Sequence, residues 1–249
     1  MIIYKYKKFF LKIEHVHFSK DLIFSNADII CYSQCQKKHP NSLLFKSPVI
    51  YLNSDIDLIK NSFRSSIRQE INQIEKKKLI TSKYFYKPKK EVIYKFIKFY
   101  DHFASVRNLP LADSKKLIAL KENILITCAL AFENIIACHI YLFDEIKVRL
   151  WYSAIKLNAT GDDLQFVAKV NKFLHYEGIR LAKQLDFVIY DLGGINLSGS
   201  DKVKSISQFK LGFTKNIEET NNFIVANSFV GDIALKVKKF FLWKNIILF

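Results

Sequence analysis

The stretch ILITCALAFENIIACHIYLFDEIKVRLWYS, residues 124–153, decides the fold of this 249-residue chain. It holds three apolar runs of strand length, separated by the polar pairs Glu133-Asn134 and Asp144-Glu145. Two-residue connections join antiparallel strands, so the stretch predicts a meander over 124–132, 135–143 and 146–153. The first two runs are apolar almost throughout, which indicates strands that are buried on both faces.

Amphipathic helices are predicted on the N-terminal side of the meander. Apolar residues recur at steps of three and four from Ile56 to about Lys78, and again from Ile93 to Phe103. A shorter helix is expected after Asp113. The first helix carries cations four residues apart, which form one basic stripe: Lys60, Arg64 and Arg68. The stripe is either a solvated face or a contact for an anion, and Arg68 is our candidate for binding substrate.

A long helix and further strands are predicted after the meander. Residues 154–162 form a polar loop, and the apolar positions of 164–185 indicate one long helix. Residues 187–190 form a short apolar strand, and residues 206–213 are expected to form another. A helix that joins runs of strand requires both parallel and antiparallel pairs, so the sheet is predicted to be mixed.

The composition points to a globular protein with an anionic partner. Half of the residues are hydrophobic, which excludes a disordered chain, and the net charge is +16. A basic surface attracts RNA, phosphorylated or nucleotide-linked substrates, or anionic lipid headgroups, and the charge alone does not choose among them. The four cysteines form no Cys-x-x-Cys pair, and two of them lie in apolar runs, as in proteins of a reducing compartment.

No segment is predicted to direct the chain into or across a membrane. The residues 1–11 mix lysines with apolar residues and lack the pattern of a signal peptide. The longest apolar stretch, 125–143, is interrupted by Glu133 and Asn134, and two strands explain it better than a membrane span. We therefore expect a cytoplasmic protein, which works at the inner face of the membrane if its substrate is lipid-linked.

The residues suited to chemistry lie around one glycine turn. The strand that ends in Tyr190-Asp191 places a hydroxyl and a carboxylate at the sheet edge, and Gly193 and Gly194 let a ligand approach the backbone. Lys210 follows on the next predicted strand. These groups suit acyl transfer, in which an amine loses a proton and an oxyanion is stabilised; a turn with a structural lysine is the alternative.

Other candidate residues carry a weaker signal. On the third meander strand, Arg149 and Tyr152 are candidates for lining an acceptor groove. His15 and His17 share a strand face but have no evident third ligand, so no metal site is predicted. His175, beside the apolar face of the long helix, is interpreted as structural. Nucleophile elbows, phosphate loops and dinucleotide fingerprints are missing.

Several motifs together resemble those of one family. Tyr-Asp-Leu-Gly-Gly-Ile at 190–195, with Phe209-Lys210 and Gly212-Phe213 downstream, resembles the closing motif of the Fem-type (FemABX) peptidyltransferases and their acyltransferase relatives. The strand 49–52 with the helix 64–78, and the helical segment 173–183, look like that family's preceding elements. The resemblance covers roughly residues 45–225.

The resemblance implies a GNAT-like α/β fold, with a mixed, mostly antiparallel sheet flanked by helices, in a single compact lobe with a reduced N-terminal portion. Residues 46–225 would be the acyltransferase domain, 1–45 a strand-rich extension packed on the core, and 226–249 a basic aromatic segment. On the family's pattern, Phe209 and Lys210 lie at the transfer centre, where Lys210 steadies the developing charge. Tyr190 and Asp191 border the acceptor.

The family pattern also sets the expected substrates and the alternatives. No bound cofactor is expected; the donor would be aminoacyl-tRNA or acyl-CoA, and the acceptor an amine of peptidoglycan or of a surface polysaccharide amino sugar. The coenzyme A pyrophosphate loop is missing, since residues 157–162 place acids there. At this length we expect neither two complete lobes nor a coiled-coil arm for tRNA. The alternative is an acyl-CoA-dependent N-acyltransferase that acts on a nucleotide-linked amino sugar.

A function without catalysis is the third possibility. Residues 236–249 mix lysines with aromatic residues and could rest on an anionic bilayer, or pack on the core as a helix or strand. The chain would then be a basic module that binds RNA or membrane. Contact of this segment with the membrane would also suit a transferase whose acceptor is lipid-linked.

Overall fold

The computed structural model describes residues 1–157 and 162–241. Within these residues the chain forms ten β-strands and seven α-helices. The strands are β1 (Ile2–Lys8), β2 (Leu11–His17), β3 (Ile29–Cys35), β4 (Leu43–Tyr51), β5 (Thr81–Tyr86), β6 (Ile124–Ala131), β7 (Asn134–Phe143), β8 (Lys147–Ile155), β9 (Ile189–Asp191) and β10 (Ile217–Ala226). The helices are α1 (Ile56–Ser62), α2 (Ser65–Lys77), α3 (Lys90–Arg107), α4 (Ser114–Ala119), α5 (Asp162–Gln184), α6 (Asp201–Leu211) and α7 (Phe229–Phe241).

The chain divides into two compact units. One comprises Met1–Phe45 with Glu219–Phe249, and the other comprises Lys46–Glu218. The division predicted from the sequence, into 1–45, 46–225 and 226–249, stays a prediction. We call Met1–Phe45 with Glu219–Phe249 the terminal unit and Lys46–Glu218 the central unit.

The sheet of the central unit contains the predicted meander. Its strand order is β4-β9-β8-β7-β6-β5. Of the five pairs described in this order, β8–β9 is parallel and the other four are antiparallel. The α/β fold with a mixed, mostly antiparallel sheet is therefore confirmed, and so is the meander β6-β7-β8.

Two helices bury the apolar face of this sheet. The amphipathic residues of α2, including Ile67 and Ile71, and those of α5, including Leu174 and Ile179, belong to one buried cluster with strand residues such as Leu125. Burying these side chains is the main favourable contribution to folding. The predicted helix of 93–103 is α3, which packs on β8 through ring contacts of Phe96 and Tyr100 with Tyr152.

The terminal unit is built on a small sheet of its own strands. Their order is β1-β2-β3-β10, in which β2–β3 is parallel and the other two pairs are antiparallel. Helix α7 contributes Ala234 and Leu235 to a cluster with Ile13, Ile29 and Cys31. In both units the cysteines are buried free thiols, as the sequence predicts.

The predicted helix 56–78 is wrong in one respect, because the structure breaks it into α1 and α2. Phe63, between them, has extended backbone angles, and its side chain is buried in the core. The Arg68 guanidinium turns back and donates to the carbonyls of Asn61, at 2.8 Å, and of Phe63. The break disrupts the basic stripe, and Lys60 pairs with Glu75 at 2.7 Å instead of facing solvent.

The strand predicted at 206–213 is also wrong, because these residues lie mainly in helix α6. The inner face of α6 carries polar residues, Ser207 and Lys210, so the apolar residues do not show a helical period. Ser207 donates from its hydroxyl to the carbonyls of Val203 and Asn196, at 2.9 and 3.0 Å. Lys210 therefore lies on a helix, and not on a strand as predicted.

Arg68→Met should lower the free energy of unfolding by about 1–2 kcal/mol, because it removes hydrogen bonds to the end of α1 while keeping the aliphatic stem. Arg64→Met is the matched control, since Arg64 is exposed in the same segment and should change stability by less than about 0.5 kcal/mol. Urea unfolding measures both variants. Equal stabilities of the two variants would show that Arg68 does not hold the break.

Candidate active site

Asp191 lies at the end of β9, the strand between β4 and β8. Its carboxylate is fully buried. One oxygen accepts from the Gly193 amide at 2.7 Å, and the other accepts from the Ser47 hydroxyl on β4 at 3.2 Å. On the opposite side, Arg149 of β8 is in register with Asp191 and is also buried. A buried carboxylate is stable only with such partners.

Lys210 reaches this turn from α6. Its Nζ donates to the Gly194 carbonyl at 2.8 Å. Desolvation by the surrounding protein and then the nearby Arg149 lower the pKa of Lys210, Asp191 partly offsets both, and the resulting pKa is about 8. Lys210 as a residue retains partial exposure to solvent. We call Arg149, Asp191, Gly193, Gly194 and Lys210 the Asp191–Lys210 cluster.

Gly193 is required by its backbone and its surroundings. Its φ is 77°, in the left-handed region that residues with a β-carbon rarely adopt. A β-carbon at this position would lie 3.1 Å from the Leu150 carbonyl oxygen and 3.4 Å from Lys210 Nζ. The glycine therefore keeps open the space in front of the lysine ammonium.

The pairing of the two parallel strands ends at this cluster, because β9 ends at Asp191. Pairing of β8 with β9 covers Lys147–Arg149 and Ile189–Asp191, whereas β8 continues to Ile155. Just beyond, the β7–β8 register shifts between Ile140 and Tyr141, so that Trp151 is an extra residue on β8. A bulge of this kind bends its strand and is common beside functional sites.

Tyr190 precedes Asp191 on β9, and neighbouring side chains of a strand point to opposite faces. Tyr190 therefore belongs to a second group of polar residues. Its hydroxyl lies 3.0 Å from the Tyr141 hydroxyl and 3.1 Å from His175 Nδ1. The Tyr141 hydroxyl lies 3.0 Å from His139 Nδ1. We call His139, Tyr141, Tyr190 and His175 the tyrosine–histidine chain; all four side chains are buried.

Burial keeps every member of the tyrosine–histidine chain neutral. It lowers the pKa of His139 to about 4, with an opposing effect of the hydrogen bond to Asn171. The pKa of His175 is well below its usual value, through burial and then through repulsion from His139 and Lys210. The same desolvation raises the pKa of Tyr141 and of Tyr190.

Because all four side chains are neutral, the hydrogen bonds of the tyrosine–histidine chain run in one donor-to-acceptor direction. His139 donates from Nε2 to the Asn171 amide oxygen at 2.8 Å, so its Nδ1 accepts from the Tyr141 hydroxyl. The Tyr141 oxygen then accepts from Tyr190, and the Tyr190 oxygen accepts from His175 Nδ1. In this arrangement His175 carries its proton on Nδ1 and leaves Nε2 as an acceptor. The chain fixes the side chain of Tyr190 beside Asp191.

The structure brings together most of the predicted site residues and separates two of them. Tyr190, Asp191, Gly193, Gly194, Arg149 and Lys210 meet at the end of β9. Phe209 lies next to them, with its ring 5.5 Å from that of His175. Tyr152 packs against α3, with its ring 4.8 Å from that of Tyr100, and Arg68 contacts the end of α1. Their predicted binding roles stay predictions.

Several polar residues of this site are not predicted from the sequence. His139 and Tyr141 lie in an apolar run that predicts a strand, and Asn171 lies in the segment 164–185 that predicts a helix. A signal was present: His139 and Tyr141 are two apart on a strand, and Asn171 and His175 are four apart on a helix, so each pair shares a face. Gly178, one turn further, leaves room for the Tyr141 hydroxyl.

Among the described residues, no group of three or more His, Cys, Asp or Glu side chains is placed to hold a metal ion. None of the helices in the described ranges is long and apolar enough to cross a membrane. Most of the predicted polar loop before α5, at 158–161, and the end of the basic aromatic segment, at 242–249, lie outside the described residues.

Comparisons with known proteins find similarity among solved structures. No protein-family profile matches the sequence, and no curated protein is similar to it. FemX is similar at 10% identity and a TM-score of 0.65, over 96% of this chain and 85% of FemX. The C-terminal domain of a putative lysylphosphatidylglycerol synthetase from Agrobacterium fabrum has 12% identity and a TM-score of 0.56, over 83% of this chain and 70% of that one. L-PGS from Bacillus licheniformis has 12% identity and a TM-score of 0.51, over 85% and 72%.

The neutral state of His139 predicts a loss of stability in acid. Its pKa is about 4 when folded and 6.5 in an ordinary environment, so the unfolded chain binds the proton more tightly between these values. Lowering the pH from 6.5 to 4 should therefore destabilise the fold by up to about 3 kcal/mol through this residue. His139→Gln should lose this part of the acid sensitivity, and substitution of the exposed His102 by Gln should retain it, as measured by thermal unfolding at several pH values.

Gly178→Ala tests the packing of α5 on the tyrosine–histidine chain. A β-carbon at this position would lie 2.5 Å from the Tyr141 hydroxyl oxygen, so the substitution should cost about 1–3 kcal/mol despite the better helix propensity of alanine. In a Tyr141→Phe background the clashing oxygen is gone, and the same substitution should cost at least about 1 kcal/mol less. Additive effects in urea unfolding would contradict this contact.

Proposed function

Because the chain has a Fem-like fold of the GNAT type, we propose that it is a transferase that moves an aminoacyl or other acyl group onto an amine of a cell-envelope component. The Asp191–Lys210 cluster carries the proposal. It combines a lysine ammonium on a partly exposed residue, a fixed carboxylate and a glycine turn at the point where β9 ends beside β8. These are the groups that acyl transfer requires at one place.

The proposed reaction begins with attack of the acceptor amine on the carbonyl carbon of the donor. The carbonyl oxygen becomes an oxyanion, and the Lys210 ammonium stabilises it by a charge-assisted hydrogen bond. In a partly desolvated site this interaction is stronger than in water. Collapse of the intermediate breaks the bond to the donor's leaving group, and the proton lost by the attacking amine passes to the departing atom, which leaves as a tRNA ribose hydroxyl or a coenzyme A thiol.

Asp191 prepares Lys210 for this role. The Asp191 carboxylate raises the pKa of Lys210, against the effects of burial and of Arg149, and so favours the charged ammonium at neutral pH. Asp191 also fixes the Gly193 amide, which sets the position of the Gly194 carbonyl that Lys210 contacts. In this proposal Tyr190, Gly193 and Gly194 border the acceptor, and Phe209 lines the transfer centre.

The donor is proposed to be aminoacyl-tRNA. One structural relative carries the name of a lysylphosphatidylglycerol synthetase, whose product joins an amino acid to a membrane lipid. The basic surface suits an RNA-linked donor. For the acceptor, the proposal is an amine of peptidoglycan or of a surface polysaccharide amino sugar, reached in the cytoplasm at the inner face of the membrane.

An acyl-CoA donor with a nucleotide-linked amino sugar as acceptor is the second candidate. The part of β8 that continues beyond its pairing with β9 favours it, since the backbone of a strand edge can bind an extended thioester arm. Thermal unfolding distinguishes the two donors, because coenzyme A should raise the melting temperature only if it is the leaving group. A non-catalytic role in RNA or membrane binding is the alternative if no donor reacts.

Transfer assays test the proposal directly. Charged tRNAs and acyl-CoA donors are offered together with amine acceptors from peptidoglycan precursors and from nucleotide-linked amino sugars, and acyl transfer is followed by mass spectrometry. Transfer from at least one donor is expected. The absence of turnover with every donor and acceptor would refute the proposed function.

Lys210→Ala should lower kcat by about 100-fold or more, because the oxyanion loses its charged donor. Lys204→Ala is the matched control on the same helix; Lys204 lies 3.7 Å from Asp201, outside the Asp191–Lys210 cluster, and its loss should leave kcat unchanged. Because the pKa of Lys210 in the unliganded protein is about 8, kcat/KM should fall as the pH rises through this value. Lys210→Arg should move this alkaline fall to higher pH. A wild-type rate for Lys210→Ala would contradict its role.

A further inference from the structure

The β1–β2 hairpin of the terminal unit ends in two exposed phenylalanines. The strands pair in register up to Lys8 and Leu11, so Phe9 and Phe10 form the whole loop. They are 89% and 77% exposed. Two-residue loops normally contain glycine, asparagine or aspartate, and Phe9 has a φ of 55°, which is unfavourable for a bulky side chain. Neither the turn geometry nor core packing explains two phenylalanines at this position.

Lysines surround this aromatic tip. Lys7 and Lys12 lie directly opposite each other on the paired strands, an arrangement of like charges that destabilises a sheet. With Lys5 they line a depression of about 350 Å³ at the base of the tip. Lys5 also pairs with Glu14 at 2.9 Å, which places one carboxylate at the edge of the depression. The local charge is positive and suits an anionic partner.

The loop that borders the depression continues the apolar surface. Asn26 and Ala27 line the depression beside the three lysines. Earlier in the same loop, Phe24 is fully exposed and Leu22 is 44% exposed. The surface thus combines aromatic and aliphatic side chains with lysines. We call Phe9, Phe10 and their flanking residues Lys7, Lys8 and Lys12 the hairpin tip.

We propose that the hairpin tip docks the protein on an anionic lipid bilayer. Phe9 and Phe10 enter the boundary between headgroups and acyl chains, and the lysines contact lipid phosphates at the surface. Burial in the bilayer stabilises the two exposed rings, and the anionic headgroups relieve the repulsion between Lys7 and Lys12. Both unfavourable features of the free hairpin therefore become favourable on a membrane.

The mixed character of the surface favours a bilayer over RNA. Aromatic rings stack on bases, but phenylalanines at the end of a protruding turn and an aliphatic side chain such as Leu22 gain more from an apolar phase. The inference does not depend on the transfer chemistry, since the hairpin tip belongs to the terminal unit and the Asp191–Lys210 cluster to the central unit.

Co-sedimentation with vesicles tests the docking surface on the full chain. The wild type should bind vesicles of phosphatidylcholine mixed with phosphatidylglycerol, bind phosphatidylcholine alone far less, and be released by salt. Phe9→Gly/Phe10→Asn should weaken binding by at least about tenfold. Lys7→Gln/Lys12→Gln should weaken it by about fivefold for each lysine removed.

The double variant is designed to keep the hairpin folded. Glycine followed by asparagine suits a two-residue turn, so its melting temperature should equal or exceed that of the wild type. Phe132→Asn is the matched control, because Phe132 is 84% exposed in a turn of the central unit, with a φ of 47°. This control should bind vesicles like the wild type.

Three outcomes would overturn the proposal. The first is that the wild type binds neither vesicle, or binds both equally. The second is that Phe9→Gly/Phe10→Asn binds like the wild type, or that Phe132→Asn loses as much binding as this double variant. The third is that the double variant loses tRNA binding in a filter assay while its vesicle binding is unchanged, which would assign the hairpin tip to RNA.

Discussion

The candidate site depends on the hydrogen bonds that the buried Asp191 carboxylate accepts. One oxygen holds β4 through Ser47, and the other holds the Gly193 amide and thereby shapes the turn after β9. That turn sets the Gly194 carbonyl, which fixes the Lys210 ammonium and the end of α6. A buried carboxylate is costly unless it is paired in this way, so the same contacts stabilise the fold and define the site.

Two polar groups with different chemistry share the short strand β9. Tyr190 faces α5 and joins a chain of neutral histidines and tyrosines, whose hydrogen bonds are satisfied internally. Asp191, the next residue, faces the charged Arg149 and Lys210. The hydrogen bonds within the neutral group hold its side chains in place, since each joins two of its members. The charged group contains a partly exposed lysine, and the alternation of side chains along β9 separates the two groups.

Much of the framework could be predicted from the sequence, because its signals are local. The meander follows from three apolar runs with two-residue breaks, and the helices at 93–103 and 164–185 follow from apolar spacing. The turn at 190–195 and Lys210 were chosen on chemistry, and they do meet. Helix α6 was predicted as a strand because its inner face is polar, and His139, Tyr141 and Asn171 were missed because they lie in runs that otherwise indicate only core.

The sequence by itself determined the meander, the helices at 93–103 and 164–185, the basic charge and the identity of the residues suited to acyl transfer. Periodicity and turn chemistry act over a few residues, so they can be read along the chain. Only the tertiary structure decided that Arg149, Asp191 and Lys210 share one cluster, that Arg68 caps α1, and that Phe9 and Phe10 are exposed at a hairpin tip. These outcomes depend on packing between residues distant in the sequence, which determines burial, pKa and contact.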